Sequence, residues 1–322
     1  PTGPPPPPRA PARRAPSVRR SGAGGWAAGG GRSADSGAPG PALGTAEVYD
    51  PAPGTWAPTA GALTTARHGH AATVLPDGRL LVTGGTGTDG RALATVELLD
   101  PVARTWSAAG PPMTDARTGH RAVLLRNGKV LVVGGALPTG GPDAALAHCE
   151  LHDPATGSWT PTGSLLTARK GHQATLLADG RVLVTGGDPA AGPVTDPGGY
   201  DPHSLATAEV YDPATGTWTA LGPMPGGRRG HRCLALRSGL VLLIGGTGGP
   251  AFAAGHRNVT VLDPALGTWT ATGPLATGRS DFAAVELADG RVLVAGGTAL
   301  AGAAAPGPAP TEPAATAELY AP

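Results

Sequence analysis

The sequence predicts an all-β fold: a β-propeller of repeated four-stranded blades. Three observations predict it. Glycine (53) and proline (36) are abundant in the 322 residues while aromatics are 4%, a composition of many turns and short strands. A hairpin-like string, TARHGHAATVLPDGRLLVTGG at 65–85, recurs at 115–135, 167–187, 226–246 and 277–297. Between copies a second string recurs, as in TAEVYDPATGTW, and the distance from one copy to the next is that of a propeller blade rather than a helical solenoid.

Each period reads as four strands. Strand a is the HAATVL-like run, a PDG, RNG, ADG or RSG turn follows, and strand b is the RLLVTGG-like run. Strand c is AEVYD-like; DPATG then makes a turn, with Pro pre-setting φ and Gly taking φ > 0, and TW opens strand d. Apolar runs such as Val182-Leu183-Val184 suit strands covered on both faces by neighbouring blades. A lone four-stranded sheet leaves both faces wet, so blades must stack around an axis.

Two spacings are constant. From the Arg that opens each hairpin (Arg67, Arg117, Arg169, Arg228, Arg279) to the first Gly of the closing pair (Gly84, Gly134, Gly186, Gly245, Gly296) the count is 17 in every copy. From the strand-c Asp to the following Trp it is six, giving Trp56, Trp106, Trp159, Trp218 and Trp269. Five Trp in one register are expected as packing between blades. The pairs are completed by Gly85, Gly135, Gly187, Gly246 and Gly297, also structural.

The glycine pair ending strand b, the aromatic or Leu before Asp on strand c, and the Trp beyond it resemble the kelch repeat. RxGH with TAEVYDPATGTW is most similar to bacterial kelch proteins with a galactose-oxidase-like propeller. The resemblance spans residues 45–322 and implies a β-propeller; it implies no reaction. Kelch domains that bind peptides use Arg at this strand-a position, so it also makes the five Arg ligand-binding candidates.

The expected domain plan is a low-complexity Pro/Arg/Gly segment over 1–43, disordered, and a propeller over 44–322. Five a/b hairpins and six strand-c copies leave a five- or six-blade ring, one that is incomplete in some arrangements. Either the c/d strings at 45–59 complete the blade begun at 282–297, or a sixth blade lacks its first hairpin. Gly22 to Arg32 lack the β-branched residues a strand favours.

Charge excludes little but directs the search. Residues 1–40 hold six Arg and one Asp, so the remainder carries 18 basic and 22 acidic groups; a mildly acidic body gives no reason to expect nucleic acid. No apolar run is long enough to span a membrane as a helix, two Cys form no disulfide framework, and a monomer is expected. The sequence assigns no localisation and no cofactor.

Function is expected at the face that carries the b-to-c and d-to-a loops. The b-to-c loops differ in length from copy to copy, from the shortest, between Gly85 and Glu97, to the longest, between Gly187 and Glu209, whereas the opposite turns are uniform. The Arg there suit carboxylates, or pair with acids at a nearly constant spacing before four of them: Glu47 before Arg67, Glu97 before Arg117, Glu150 before Arg169 and Glu209 before Arg228. Thr260 replaces Glu before Arg279, for which Asp281 supplies a local acid. The longest loop adds Asp188, Asp196, Tyr200, Asp201 and His203 as ligand-binding candidates, in a spacing that matches no EF-hand.

Catalysis finds less support. The His set (His70, His120, His172, His231) lies on separate blades, too far apart for one metal, and no metal site is expected. A copper-radical site needs a Tyr beside a reactive Cys, whereas Tyr49, Tyr211 and Tyr320 fill one repeat slot and Cys149 and Cys233 fill small-residue slots. The expected function is a non-enzymatic module binding a protein or glycan. The alternative is a relative of kelch-type carbohydrate oxidases or epimerases.

Overall fold

The fold is that of a computed structural model, which describes residues 13–14, 17–21, 24–28, 31–33, 39–50, 52–138, 144–189, 204–248, 256–300, 311–313 and 316–322. Among these, every regular element is a strand, and no helix is long and apolar enough to cross a membrane. Five four-stranded antiparallel sheets form the blades of a propeller, followed by a sixth blade sheet of three strands.

The second blade shows the plan. Ala71–Val74 pairs with Leu80–Thr83, which pairs with Val96–Leu99, which pairs with Trp106–Ala108. Strand a is innermost: the Ser17–Ser21, Ala71–Val74, Arg121–Leu124, Gln173–Leu176, Arg232–Ala235 and Ala283–Glu286 strands neighbour one another in that order. Hydroxyls tie them, as Thr73 Oγ1 donates to the Ala122 carbonyl at 3.3 Å and Thr175 Oγ1 to that of Cys233 at 2.9 Å. Strand b is the core, with Val130–Val133, Val182–Thr185 and Val241–Ile244 buried throughout.

Apolar clusters lie between sheets, not within them. Leu131 and Val133 of the third blade pack with Val182, Val184, Tyr211 and Trp218 of the fourth. The same arrangement joins the fourth to the fifth and the fifth to the sixth. Burial of both faces is why strand b reads as a continuous apolar run rather than an alternating one.

The first blade departs from the sequence reading. Ala46–Asp50 pairs with Gly24–Ala28, which pairs with Ser17–Ser21, so this blade takes two strands from the Gly/Arg-rich segment before residue 44. The 45–59 strings therefore do not complete the last sheet. There, Val292–Ala295 pairs with Ala317–Tyr320 instead. Backbone pairing to a strongly patterned strand c supplies what the β-branched content of the segment does not.

Candidate functional site

The constant spacing between Arg and glycine pair is a hydrogen bond. In each hairpin the Arg guanidinium Nη1 donates to the carbonyl of the first Gly of its own pair: Arg67 to Gly84 at 2.7 Å, Arg117 to Gly134 at 2.9 Å, Arg169 to Gly186 at 2.8 Å, Arg228 to Gly245 at 3.2 Å and Arg279 to Gly296 at 3.0 Å. The second Gly joins the blades. The Gly85 N–H donates to the Arg117 carbonyl of the following blade at 2.8 Å, and Gly187 does so to Arg228 at 2.9 Å. The contact leaves no room for a side chain: a Cβ on Gly186, at φ 61°, would stand 2.3 Å from the Arg228 carbonyl.

All five guanidinium groups are buried, at 0% exposure, and offer a ligand no surface. Four are held by acids. Arg67 pairs with Glu97 at 2.5 Å, Arg117 with Glu150 at 2.7 Å, Arg169 with Glu209 at 2.5 Å and Arg279 with Glu318 at 2.5 Å. These partners correct the sequence register. Glu97 serves Arg67, not Arg117, because strand c of the same blade returns beside the hairpin the Arg opens. Arg279 likewise takes Glu318 rather than Asp281. Each carboxylate also accepts two backbone N–H groups, as Glu209 does from Leu166 at 2.7 Å and Thr167 at 3.1 Å. A buried pair with its remaining lone pairs filled is the arrangement in which burial is tolerated. Burial still draws the Arg67 and Arg169 guanidinium groups below their ordinary range, against the opposing pull of Glu97 and Glu209.

Arg228 is the exception. Its own strand c carries the buried Thr260, and no carboxylate pairs with its guanidinium among the described residues. Pro225 stands where Leu166 stands in the previous blade, so one backbone N–H that would hold a carboxylate is missing too. Nη2 of Arg228 turns instead to the Pro225 carbonyl at 2.7 Å. Desolvation alone lowers this group to about 10. The neighbouring His256, buried, is lowered to about 4, first by desolvation and then by the Arg228 charge, so it stands neutral beside the cation.

The four repeat His are buried. His120 Nε2 meets Thr83 Oγ1 of the preceding blade at 2.8 Å, and His231 Nε2 meets Thr185 Oγ1 at 2.9 Å. Burial, reinforced by nearby Arg side chains, holds His120, His172 and His231 well below the ordinary imidazole range. Among the described residues no three His, Cys, Asp or Glu converge on a metal-sized site. Burial raises both thiols, Cys149 and Cys233, to about 11, the reverse of what a reactive cysteine needs. Tyr49 and Tyr211 pack tilted against Trp56 and Trp218, with ring centroids 5.2 and 5.1 Å apart.

The Trp side chains sit on the outermost strands and reach back one blade. Trp159 Nε1 donates to the Pro111 carbonyl at 3.1 Å, Trp218 to Gly163 at 2.9 Å and Trp269 to Gly222 at 3.0 Å. Trp218 is buried, Trp106 packs partly buried on the cluster between the first two blades, and Trp56 is half exposed.

Of the long-loop candidates, Asp196, Tyr200, Asp201 and His203 lie outside the described residues. Asp188 is buried, accepts from Ser204 Oγ at 3.0 Å and pairs with Arg229 at 3.2 Å.

The channel mouth on the loop face is lined by residues that differ from blade to blade. After each buried Arg come His68, Thr118, Lys170, Arg229 and Ser280, each bridged to the residue following the glycine pair. Strand a then opens with Ala71, Arg121, Gln173, Arg232 and Ala283. The third to fifth blades carry Arg121, Lys170, Arg229 and Arg232 at these registers, all part-exposed; Arg229 pairs with Asp188, and Arg232 Nε donates to the Phe282 carbonyl within reach of the Asp281 charge. The Arg121 charge adds to burial in lowering His120, His172 and His231. Sequence reasoning passed over Arg121 and Arg232; their signal was variation at one register inside an otherwise constant repeat. Asp281 takes the left-handed conformation, φ 54°, where the other copies have Gly. Two clefts on the opposite, tight-turn face are lined by turn residues such as Arg126, Asp179, Arg181 and Asp263.

Comparison with known proteins agrees with this geometry. The profile of the KLHDC2/KLHL20/DRC7 Kelch-repeats domain matches residues 69–297. Human Kelch-like protein 34 is 29% identical over 141 residues, 42% of this chain and 20% of that protein. Kelch-like protein 7 of rat and of mouse is 30% identical over 100 residues, 31% of this chain and 15% of theirs. The chain therefore spans a fifth or less of the curated relatives it matches. From the blade junctions built on Arg and Gly-Gly to the back-reaching Trp, and on the profile that matches most of its length, this chain belongs to the Kelch-repeat family.

Proposed function

We propose that this Kelch-repeat domain is a protein-binding module that takes an acidic segment of its partner at the channel mouth on the third to fifth blades. The observation that carries the reading is the placement of four part-exposed cations, Arg121, Lys170, Arg229 and Arg232, at the loop-face end of strand a on three successive blades. A partly dehydrated guanidinium attracts a carboxylate more strongly than one in open water, and Arg forks match carboxylate geometry. The five repeat Arg support this mouth from beneath as buried structural groups. A protein is favoured over a glycan because the indole faces that would stack on sugar rings lie on the outermost strands, away from the mouth.

Panning random peptides on the immobilised chain tests it. Peptides rich in Asp and Glu should be enriched, bind more weakly as salt rises, and lose at least tenfold in affinity against the Arg121→Glu/Arg232→Glu variant. Enrichment of uncharged peptides that bind the variant equally well would overturn the reading.

A further inference from the structure

Four of the five repeat Arg are held by a strand-c Glu, and the fifth blade keeps the buried cation without the acid. Strand register puts Thr260 in the place of Glu209: Glu209 lies between Val184 and Ala220, and Thr260 between Leu243 and Ala271. Thr is shorter than Glu by about a carboxyl group, so strand c does not supply the charge that would face Arg228. No other carboxylate takes its place among the described residues.

The exchange leaves donors behind. In the second to fourth blades the carbonyl two residues before the Arg, that of Thr65, Asp115 or Thr167, accepts from its Nε. In the fifth that residue is Gly226, in the left-handed conformation at φ 88°, and the buried Arg228 Nε has no hydrogen-bond partner among the described residues. Arg279 Nε shares this lack, but its Nη2 reaches Glu318. The Gly226 N–H holds the position from which the Thr167 N–H meets Glu209 at 3.1 Å. There is room beside it: a Cβ on Gly226 would meet only a carbon of the His256 ring, at 3.8 Å.

We propose that the fifth blade binds a small monovalent anion of chloride size at Arg228 Nε and the Gly226 N–H, beside the Thr260 hydroxyl, where the other blades hold a glutamate carboxylate. Charge sets the class of ligand, since a desolvated guanidinium holds an anion more strongly than one in water does. Size sets the rest: the difference between Glu and Thr admits one small ion and not a phosphoester. Burial, with no acid opposing it, already lowers Arg228 to about 10, and the anion supplies the charge that Glu209 supplies to Arg169. The stability of this blade then follows the concentration of an ion that its neighbours carry as a side chain. Arg228 is not one of the four cations of the mouth, so the site does not depend on what the mouth binds.

Thermal unfolding of the full chain at constant ionic strength, with sodium chloride replacing sodium gluconate, tests the site. The melting temperature of the wild type should rise along a saturating curve by a few degrees. Arg228→Met should melt close to the wild type in gluconate and show no saturating response to chloride. Thr260→Glu, which brings the carboxylate with the chain, should lose the response as well, while melting no lower than the wild type in gluconate. The Arg121→Glu/Arg232→Glu variant should respond as the wild type does, separating this result from the fate of the mouth. In crystals soaked in sodium bromide, an anomalous peak should stand within hydrogen-bond distance of Arg228 Nε and the Gly226 nitrogen. A flat wild-type response, a response shared equally by Arg228→Met, or soaked crystals without that peak would overturn the proposal; the bromide result stands even where neither variant folds.

Discussion

The fourth and fifth blades are built from closely similar strings, yet they treat the same buried guanidinium differently. In the fourth, Arg169 is enclosed by Glu209, three backbone carbonyls and the Thr207 hydroxyl. In the fifth, Arg228 keeps its tie to the glycine pair, but the acid has become Thr260 and the matching N–H has become Pro225. The acid and one of its two backbone donors are absent together, so no carboxylate is left short of its N–H partners. The comparison separates two jobs of the repeat Arg. Bridging the hairpin to its Gly carbonyl is kept in all five copies, and neutralising a strand-c acid in only four.

The sharpest break of this comparison is at the acids. Glu209→Ala leaves Arg169 buried and unpaired and should cost about 3 to 5 kcal/mol, whereas Thr260→Ala removes one hydroxyl and should cost under about 1.5 kcal/mol. Urea unfolding of both variants reads the difference, and equal losses would erase the distinction between the blades.

Acid gives the next effect, to which the fifth blade contributes through His256. His256 is held at about 4 in the folded chain, against an ordinary 6.5. Between those values the unfolded chain binds a proton that the folded chain refuses, so stability is whole above pH 6.5 and is lost as pH falls toward 4. The window corresponds to about 3 kcal/mol for this residue. His120, His172 and His231 act in the same direction. Stability measured against pH in wild type and His256→Leu should diverge over that window; parallel curves would remove His256 from the account.

The smallest effect is expected at the unmatched cation. Arg228→Met trades two carbonyl hydrogen bonds for release of a desolvated charge and should leave stability within about 1 kcal/mol, while Arg169→Met should lose about 3 to 5 kcal/mol by stranding Glu209. Similar losses at both sites would show that the Gly carbonyl tie, not the ion pair, dominates.

Much of this was legible in the sequence because repetition turns spacing into geometry. The constant count between Arg and Gly marked a contact before its chemistry was known, and the strand-b runs announced sheets covered on both sides. Pairing of Arg with Glu was legible as a kind but not as a partner: Arg67, Arg117 and Arg169 each have a strand-c Glu before and after them, and only the return of strand c within the same blade chooses. The strands at Ser17–Ser21 and Gly24–Ala28 were not legible, since a Gly/Arg-rich string carries no strand pattern of its own and is fixed by backbone pairing with Ala46–Asp50. Arg121 and Arg232 were not legible because a repeat marks what recurs, and these registers hold different residues in each blade.

In the third to fifth blades the indole reaches back to a turn that precedes it in the chain, Trp159 to Pro111, Trp218 to Gly163 and Trp269 to Gly222. A polypeptide emerging from the ribosome amino end first therefore presents these three outer strands with an acceptor that is already synthesised. The bond that ties each of these blades to its elder neighbour needs no residue from the strands that follow it.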